Sequence, residues 1–156
     1  MTSAPETGSP APDFTLKDQD GQDVSLSSMR GHSAALLVFF PFAFSNSCTG
    51  ELCEIRDDLG AFSSAGVQVL GVSCDPVHSL RAWAAQERYD FPLLSDFWPH
   101  GEVAKAYGVF NESRGMAVRG TFLIDEGGVV RFAEVNGPGE PRDQNGWRTA
   151  LSALAA

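Results

Sequence analysis

Residues 34–55 read AALLVFFPFAFSNSCTGELCEI and combine the pattern of a buried strand with that of a helix. Residues 35–40 are all apolar, which is typical of a strand buried on both faces in a parallel sheet, and Pro41 ends the run. After a loop, apolar side chains recur at helical spacing to about Ser64, namely Cys48, Leu52, Ile55, Leu59 and Phe62. The pattern predicts a central strand followed by a helix that carries Cys48 in its first turn.

The rest of the chain alternates between strand and helix patterns. The predicted elements are a hairpin over 14–16 and 24–26, a buried strand over 67–73, a helix over 79–87, a strand over 91–94, a hairpin over 121–124 and 129–132, and a terminal helix through Trp147, Leu151 and Leu154. This order predicts an α/β fold whose central mixed sheet has helices on both faces. A thioredoxin-like fold is the leading candidate, and a small flavodoxin-like sheet is the alternative. The sequence has no glycine-rich phosphate loop that would favour a nucleotide-binding protein.

Length and composition predict a single domain. A chain of 156 residues with 43% hydrophobic and 20% charged residues can bury a core without metals or disulfides. Residues 1–11 are rich in Ala, Pro, Ser, Thr and Gly and show no periodicity, which predicts a loose N-terminal tail. The single domain is therefore expected over residues 12–156.

The charge of the chain restricts its partners. Eleven Lys and Arg against 20 Asp and Glu give a net charge of −9, which repels nucleic acid and anionic membranes. The longest apolar run, residues 34–44, contains Pro41 and is too short to cross a membrane. No secretory signal is readable, and three cysteines fit a reducing compartment, so we expect a cytoplasmic protein.

Cys48 is the candidate nucleophile. A thiol in the first turn of a helix faces unpaired backbone N–H groups and the positive end of the helix dipole, which favour the thiolate. The alternative is a cysteine that only packs on an apolar stripe, because free cysteines are among the most buried residues.

The arrangement of Pro41, Ser45 and Cys48, Pro-x-x-x-Ser-x-x-Cys after a buried strand, resembles the active-site signature of the peroxiredoxin family. The resemblance covers nearly the whole chain, through residues 11–14, 91–96 and 119–122, and residues 96–101 and 106–110 are similar to the alkyl hydroperoxide reductase E branch. It implies a thioredoxin fold, reduction of hydrogen peroxide and organic hydroperoxides, and no cofactor.

The resemblance also implies the roles of the site residues. Cys48 would attack the peroxide and become a sulfenic acid, Ser45 would hydrogen-bond the thiolate or the peroxide, and Pro41 would shield the sulfur from water. Arg119 would polarise the substrate and stabilise the thiolate. Glu51 either matches the helix dipole or holds the arginine, and it stays outside the catalytic set.

Cys53 forms a Cys-x-x-x-x-Cys pair with Cys48, which resembles the bacterioferritin-comigratory, or Q-type, peroxiredoxins and implies that Cys53 resolves the sulfenic acid. In a helix the two Cα atoms would lie roughly 8 to 9 Å apart, whereas a disulfide needs less than about 7 Å. The first turn must therefore unwind before the bond can form. A packing role is the alternative for Cys53, and Cys74 is expected to be a buried bystander that could also compete for the sulfenic acid.

The resemblance also implies a reductant and an oligomeric state for the chain. The reductant would be thioredoxin, or a low-molecular-weight thiol with a glutaredoxin-like protein, and the chain would form a homodimer.

Two functions are alternatives to a peroxidase. A disulfide oxidoreductase is disfavoured because Glu51 stands where the Cys-x-x-Cys motif needs a cysteine, whereas a redox sensor that uses Cys48 remains an alternative. Four aromatic residues line a substrate mouth, a dimer contact or the core: Phe42, Phe44, Phe97 and Trp98. The cysteines and histidines match no standard zinc spacing.

Overall fold

The computed structural model describes residues 3–136, 148, 149, 151, 152 and 154, with the backbone alone over 46–49. Within these residues the elements in chain order are β1 (Thr15–Lys17), β2 (Asp23–Ser25), a 3-10 turn (Leu26–Met29), β3 (Ala34–Phe39), α1 (Asn46–Asp57), α2 (Leu59–Ser64), β4 (Val67–Ser73), α3 (Val77–Glu87), β5 (Leu93–Ser95), α4 (Glu102–Ala106), β6 (Phe110–Asn111), β7 (Met116–Ala117), β8 (Arg119–Ile124) and β9 (Val130–Asn136). Leu151 and Leu154 are helical as predicted, whereas Trp147 lies outside the described residues.

One seven-stranded sheet organises the chain in the order β2-β1-β5-β4-β3-β8-β9. The central strands β3, β4 and β5 run parallel to one another, while β1, β8 and β9 pair antiparallel with their neighbours. The predicted mixed sheet and its two hairpins, β1–β2 and β8–β9, are confirmed.

All six residues of β3 are buried, and their side chains alternate between two hydrophobic cores. On one face Leu36 and Val38 pack with α1, α2 and α3; on the other, Leu37 and Phe39 pack with α4 and Tyr107. Since a strand points successive side chains to opposite faces, an unbroken apolar run requires cover on both sides. The predicted helices on both faces are confirmed.

The helical stripe predicted to run to about Ser64 is divided into two helices. α1 ends at Asp57, and Asp58 adopts a non-helical conformation before α2 begins at Leu59. Its side chain pairs with Arg148, with 3.0 Å between Asp58 Oδ2 and Arg148 Nη1. The apolar spacing continues across the break, so the pattern alone does not reveal it.

The short elements α4, β6 and β7 are absent from the sequence-based prediction. Five or fewer residues carry too little periodicity to be recognised.

The N-terminal segment differs from the predicted loose tail over residues 1–11. Gly8 N–H donates to Val130 O at 2.8 Å, Val130 N–H to Ser9 O at 2.9 Å, and Ala11 N–H to Gly128 O at 2.9 Å. Residues 8–11 therefore lie against the start of β9, and the side chain of Ala11 is buried. These contacts use backbone groups, which explains why the side-chain pattern gives no sign of them.

Asp96 fixes the loop that leaves β5. Its carboxylate accepts hydrogen bonds from Val103 N–H at 3.1 Å and Ala104 N–H at 2.8 Å, and its carbonyl accepts one from Gly101 N–H at 2.9 Å. The residue is only 1% exposed. Burial, opposed by the two backbone hydrogen bonds, raises the pKa of Asp96 to about 6. The loop with Phe97 and Trp98 is thus anchored by a carboxyl group that titrates near neutral pH.

The raised pKa of Asp96 predicts a pH dependence of stability. Because the folded-state pKa lies above the ordinary value, the folded chain binds the proton more tightly than the unfolded chain, and this stability is lost as the pH rises through about 6. Relative to an Asp96→Asn variant, the free energy of unfolding of the wild type should fall by up to about 3 kcal/mol between pH 4 and pH 7. Urea unfolding at several pH values measures the difference, and parallel pH profiles would contradict the prediction.

Candidate active site

The candidate site lies where the parallel strands β3, β4 and β5 end, the edge at which ligands gather in open α/β sheets. Pro41 and Ser45 are half-buried in the loop after β3, and α1 begins directly after Ser45. Cys48 is the third residue of α1, so its predicted position in the first turn of a helix is confirmed. The backbone thus places the three residues of the Pro-x-x-x-Ser-x-x-Cys motif at one end of the central strand.

Asp75 ties this loop to the neighbouring strands. Its Oδ2 accepts hydrogen bonds from Ala43 N–H at 2.8 Å and from Ser73 Oγ at 2.7 Å, and its carbonyl accepts one from Ser95 Oγ at 2.6 Å. Sequence reasoning missed Asp75. The available signal is an acidic residue two positions after a buried strand, at the edge where the motif also lies.

The loop turns sharply just before α1. Phe44 has a φ of 69°, a left-handed conformation that costs a non-glycine residue about 1 to 2 kcal/mol. The strain is local and lies next to the Ala43–Asp75 hydrogen bond, and the Phe44 ring contacts Trp83 with 6.2 Å between the ring centroids. These contacts stabilise the turn, which places the first residues of α1 close to the end of β3.

Arg119 lies at the same edge. The β3–β8 register pairs Phe39 with Gly120, so Arg119, the preceding residue of β8, lies beside the end of β3. Its Nε donates to Glu51 Oε1 at 2.9 Å, and the two side chains are only 14% and 12% exposed. The structure therefore joins Arg119 to α1, and of the two readings of Glu51 the ion pair supports its role as the holder of the arginine.

Cys53 lies on another side of α1. Residues two apart in a helix point about 200° away from each other, so Cys53 and Glu51 face nearly opposite directions. The Cys53 thiol donates to Glu87 Oε2 at 3.5 Å and lies 3.6 Å from Tyr89 Oη. Both cysteines belong to the same continuous α1, a geometry that does not permit a disulfide between them while the helix is intact.

Cys74 is buried beside the site. Burial, reinforced by the nearby negative charge of Asp96, raises the pKa of Cys74 to about 12. The group is therefore a neutral thiol at physiological pH and a poor nucleophile. This agrees with its expected role as a bystander.

Four aromatic side chains of the two loops at this edge reach the surface. Phe42 and Phe44 are each 48% exposed, Phe97 is 47% exposed and Trp98 is 81% exposed. None of the four side chains is therefore fully buried in the core, although the Phe44 ring still contacts the buried Trp83. They give the carboxyl edge an apolar surface.

In the part of the chain that the structure describes, no group of three or more His, Cys, Asp or Glu side chains could hold a metal ion. None of its helices has the length and apolar character needed to cross a membrane.

Comparisons with known proteins agree with this geometry. The model of the AhpC/TSA family matches residues 7–133. Alkyl hydroperoxide reductase E of Mycobacterium tuberculosis is 53% identical over 149 residues, which cover 96% of this chain and 97% of that protein. The chloroplastic peroxiredoxin Q of Triticum aestivum is 40% identical over 126 residues, 80% of this chain and 57% of that protein.

Solved structures show the same fold. Peroxidoxin BcpB from Mycobacterium tuberculosis superposes with a TM-score of 0.83 at 34% identity, covering 96% of each chain. The reduced 2-Cys peroxiredoxin of Plasmodium vivax superposes with a TM-score of 0.85 at 26% identity, covering 95% of each chain.

These matches confirm the thioredoxin-like fold and decide against the flavodoxin-like sheet and the disulfide oxidoreductase. Peroxiredoxins use peroxides as substrates and thiols as reductants. The chain belongs to the AhpC/TSA family, the peroxiredoxins, and is a thiol-dependent peroxidase.

Proposed function

We propose that the chain reduces hydrogen peroxide and alkyl hydroperoxides through Cys48. The observation that carries the proposal is the meeting of two features at the carboxyl edge of β3. They are the N-terminus of α1, which holds Cys48, and the ion pair between Glu51 of the same helix and Arg119 of β8. The similarity to an alkyl hydroperoxide reductase supports organic hydroperoxides as substrates.

In the first step, the Cys48 thiolate attacks the distal oxygen of the peroxide and the O–O bond breaks. The departing alkoxide or hydroxide takes a proton and leaves as an alcohol or as water, and Cys48 becomes a sulfenic acid. Backbone N–H groups of the first helical turn stabilise the thiolate, while Ser45 aligns the peroxide and Pro41 limits access of water. Arg119 supplies the positive charge at the departing oxygen, and Glu51 keeps that guanidinium in place.

In the second step, Cys53 condenses with the Cys48 sulfenic acid to form a disulfide and release water. The intact helix forbids this bond, so the first turn of α1 must unwind. Gly50, between the two cysteines, supports this because glycine weakens a helix by about 1 kcal/mol relative to alanine. The disulfide is then reduced by thioredoxin, or by a low-molecular-weight thiol with a glutaredoxin-like protein. If Cys53 does not resolve the Cys48 sulfenic acid, the same reductants would act on Cys48 directly.

The products of a single oxidation test this sequence of steps. Reduced protein treated with one equivalent of hydrogen peroxide, without added thiol, should lose two hydrogens in intact-mass analysis, with peptide mapping to Cys48 and Cys53. A Cys53→Ser variant should stop at one added oxygen on Cys48, and Cys48→Ser should not react. A Cys74→Ser variant is the matched control and should behave as the wild type, because burial holds Cys74 as a thiol.

Two results would overturn the scheme. Peroxide reduction by Cys48→Ser would exclude Cys48 as the nucleophile. Amide hydrogen exchange of residues 46–52 in the oxidised protein tests the unwinding, because exchange as slow as in the reduced protein, with the disulfide present, would contradict it.

The Glu51–Arg119 pair predicts a non-additive pair of substitutions. Arg119→Gln should lower the rate constant of Cys48 oxidation by about 100-fold, the usual cost of removing one donor at a developing negative charge. Glu51→Gln should lower it by about tenfold through misplacement of the arginine. Stopped-flow oxidation of the double variant should match Arg119→Gln alone, because Glu51 acts through Arg119, whereas additive losses would refute the positioning role.

We further propose a homodimer that uses the exposed aromatic surface at the carboxyl edge. Trp98 is the most exposed of its four residues, and a Trp98→Glu variant should sediment as a monomer under conditions in which the wild type is a dimer. Val135→Glu is the control, because Val135 is a 45% exposed apolar residue on the edge strand β9. A dimer that survives Trp98→Glu but not Val135→Glu would place the interface on β9 instead.

The cytoplasmic location belongs to the same proposal and rests on the cysteine content. A reactive Cys48 and a resolving Cys53 both require a compartment in which thiols are kept reduced between turnovers.

A further inference from the structure

The half-buried Cys53 thiol lies in a cluster of titratable groups that the steps above do not use. Glu87 Oε2 is 3.5 Å from Cys53 Sγ, and Tyr89 Oη is 3.6 Å from the same sulfur. Arg56 Nη1 lies 3.8 Å from Glu87 Oε2 and donates to the Glu87 carbonyl at 2.7 Å. The other carboxylate oxygen of Glu87 accepts a hydrogen bond from Gln86 Nε2 at 3.3 Å.

This environment exceeds what a packing role requires. A cysteine that only fills space needs apolar neighbours, whereas Cys53 donates to a carboxylate that can take its proton. Burial, together with the contact to Cys53, raises the pKa of Tyr89 above its usual range, so Tyr89 is a phenol able to donate to a thiolate. The guanidinium of Arg56, whose Nε also donates to Asp57 Oδ1 at 2.9 Å, interacts electrostatically with Cys53 and favours its thiolate form.

The packing of α1 indicates which cysteine moves when the helix unwinds. Leu52 and Ile55, on either side of Cys53, are fully buried in the first core. Cys48 lies before them, separated by Gly50, which has open space around it. Unwinding that stops at Leu52 leaves Cys53 beside Glu87 and lets Cys48 approach it.

We propose that Glu87 is the general base that activates Cys53 for attack on the Cys48 sulfenic acid, with Tyr89 and Arg56 stabilising the thiolate. The Cys53 proton moves to Glu87, the thiolate electron pair forms the S–S bond with Cys48, and the S–O bond of the sulfenic acid breaks. The hydroxide that leaves takes the proton from Glu87 and departs as water. Cys53 is oxidised and Cys48 is reduced from the sulfenic to the disulfide level, so no further oxidant is needed. This inference rests on the proposed resolving role of Cys53.

The test is the rate of disulfide formation after a single rapid oxidation by hydrogen peroxide. Glu87→Gln should slow this step at least about 100-fold at neutral pH, the lower end of the usual contribution of a general base, while oxidation of Cys48 keeps the wild-type rate. The difference in rate between Glu87→Gln and the wild type should become smaller as the pH rises, because solvent hydroxide then ionises the Cys53 thiol directly. Glu87→Asp, which retains a carboxylate, should recover part of the rate and the shallow pH dependence.

The control is Glu54→Gln, which removes the same charge from an exposed position next to Cys53 in the chain. It should resolve at the wild-type rate. Tyr89→Phe removes only the phenol donor and should give a smaller loss, which keeps the proposal testable if Glu87→Gln folds poorly. Circular dichroism of each reduced variant checks that α1 is intact.

The outcomes separate this inference from the function on which it rests. If wild-type protein forms no Cys48–Cys53 disulfide and stays a sulfenic acid, the resolving role of Cys53 and the role of Glu87 both fail. If the disulfide forms but Glu87→Gln, Glu87→Asp and Glu54→Gln all match the wild type in rate and pH profile, only the role of Glu87 fails.

Discussion

Strand β3 is buried on both faces, and this burial restricts where polar groups and chemistry can be placed. Its six residues fill both cores, so no polar group can be accommodated along its length without a large desolvation penalty. Chemistry must therefore occur where the strand ends. There the chain turns through Phe44 into α1, Asp75 binds the loop, and Arg119 arrives from the neighbouring strand β8.

Helix α1 has two chemical sides, one for each of the two proposed steps. Glu51 and Arg119 lie on one side, next to the first turn in which Cys48 resides, and Cys53 and Glu87 meet on another. The intact helix favours attack on peroxide because its N-terminus can stabilise a thiolate, but it separates the two cysteines. Catalysis by two cysteines therefore requires a helix stable enough for the first step and weak enough to unwind for the second.

Local positive charge matters because the chain as a whole is acidic, with a net charge of −9. Each proposed chemical step has its own guanidinium, and each guanidinium is paired with a glutamate: Arg119 with Glu51, and Arg56 with Glu87. A carboxylate near each arginine fixes its position, and in the second pair it is also placed to accept a proton. The fold thus places one paired arginine on each of two sides of α1, Arg119 from β8 and Arg56 from α1 itself.

Sequence patterns alone predict the central strand, the helix that begins before Cys48, the two hairpins of the sheet, and the motif of Pro41, Ser45 and Cys48. These features repeat over short distances along the chain, so the periodicity of burial reveals them. Contacts between residues that are far apart in the chain became visible only when the helices and strands were packed together. Ala43 meets Asp75, Cys53 meets Glu87, and Arg119 meets Glu51 across 32, 34 and 68 positions of the chain. The same applies to residues 8–11, whose hydrogen bonds to the start of β9 join backbone groups. Such contacts depend on how the helices and strands pack, and an aspartate or glutamate in a helix or after a strand gives no sign of its partner until the packing brings the two together.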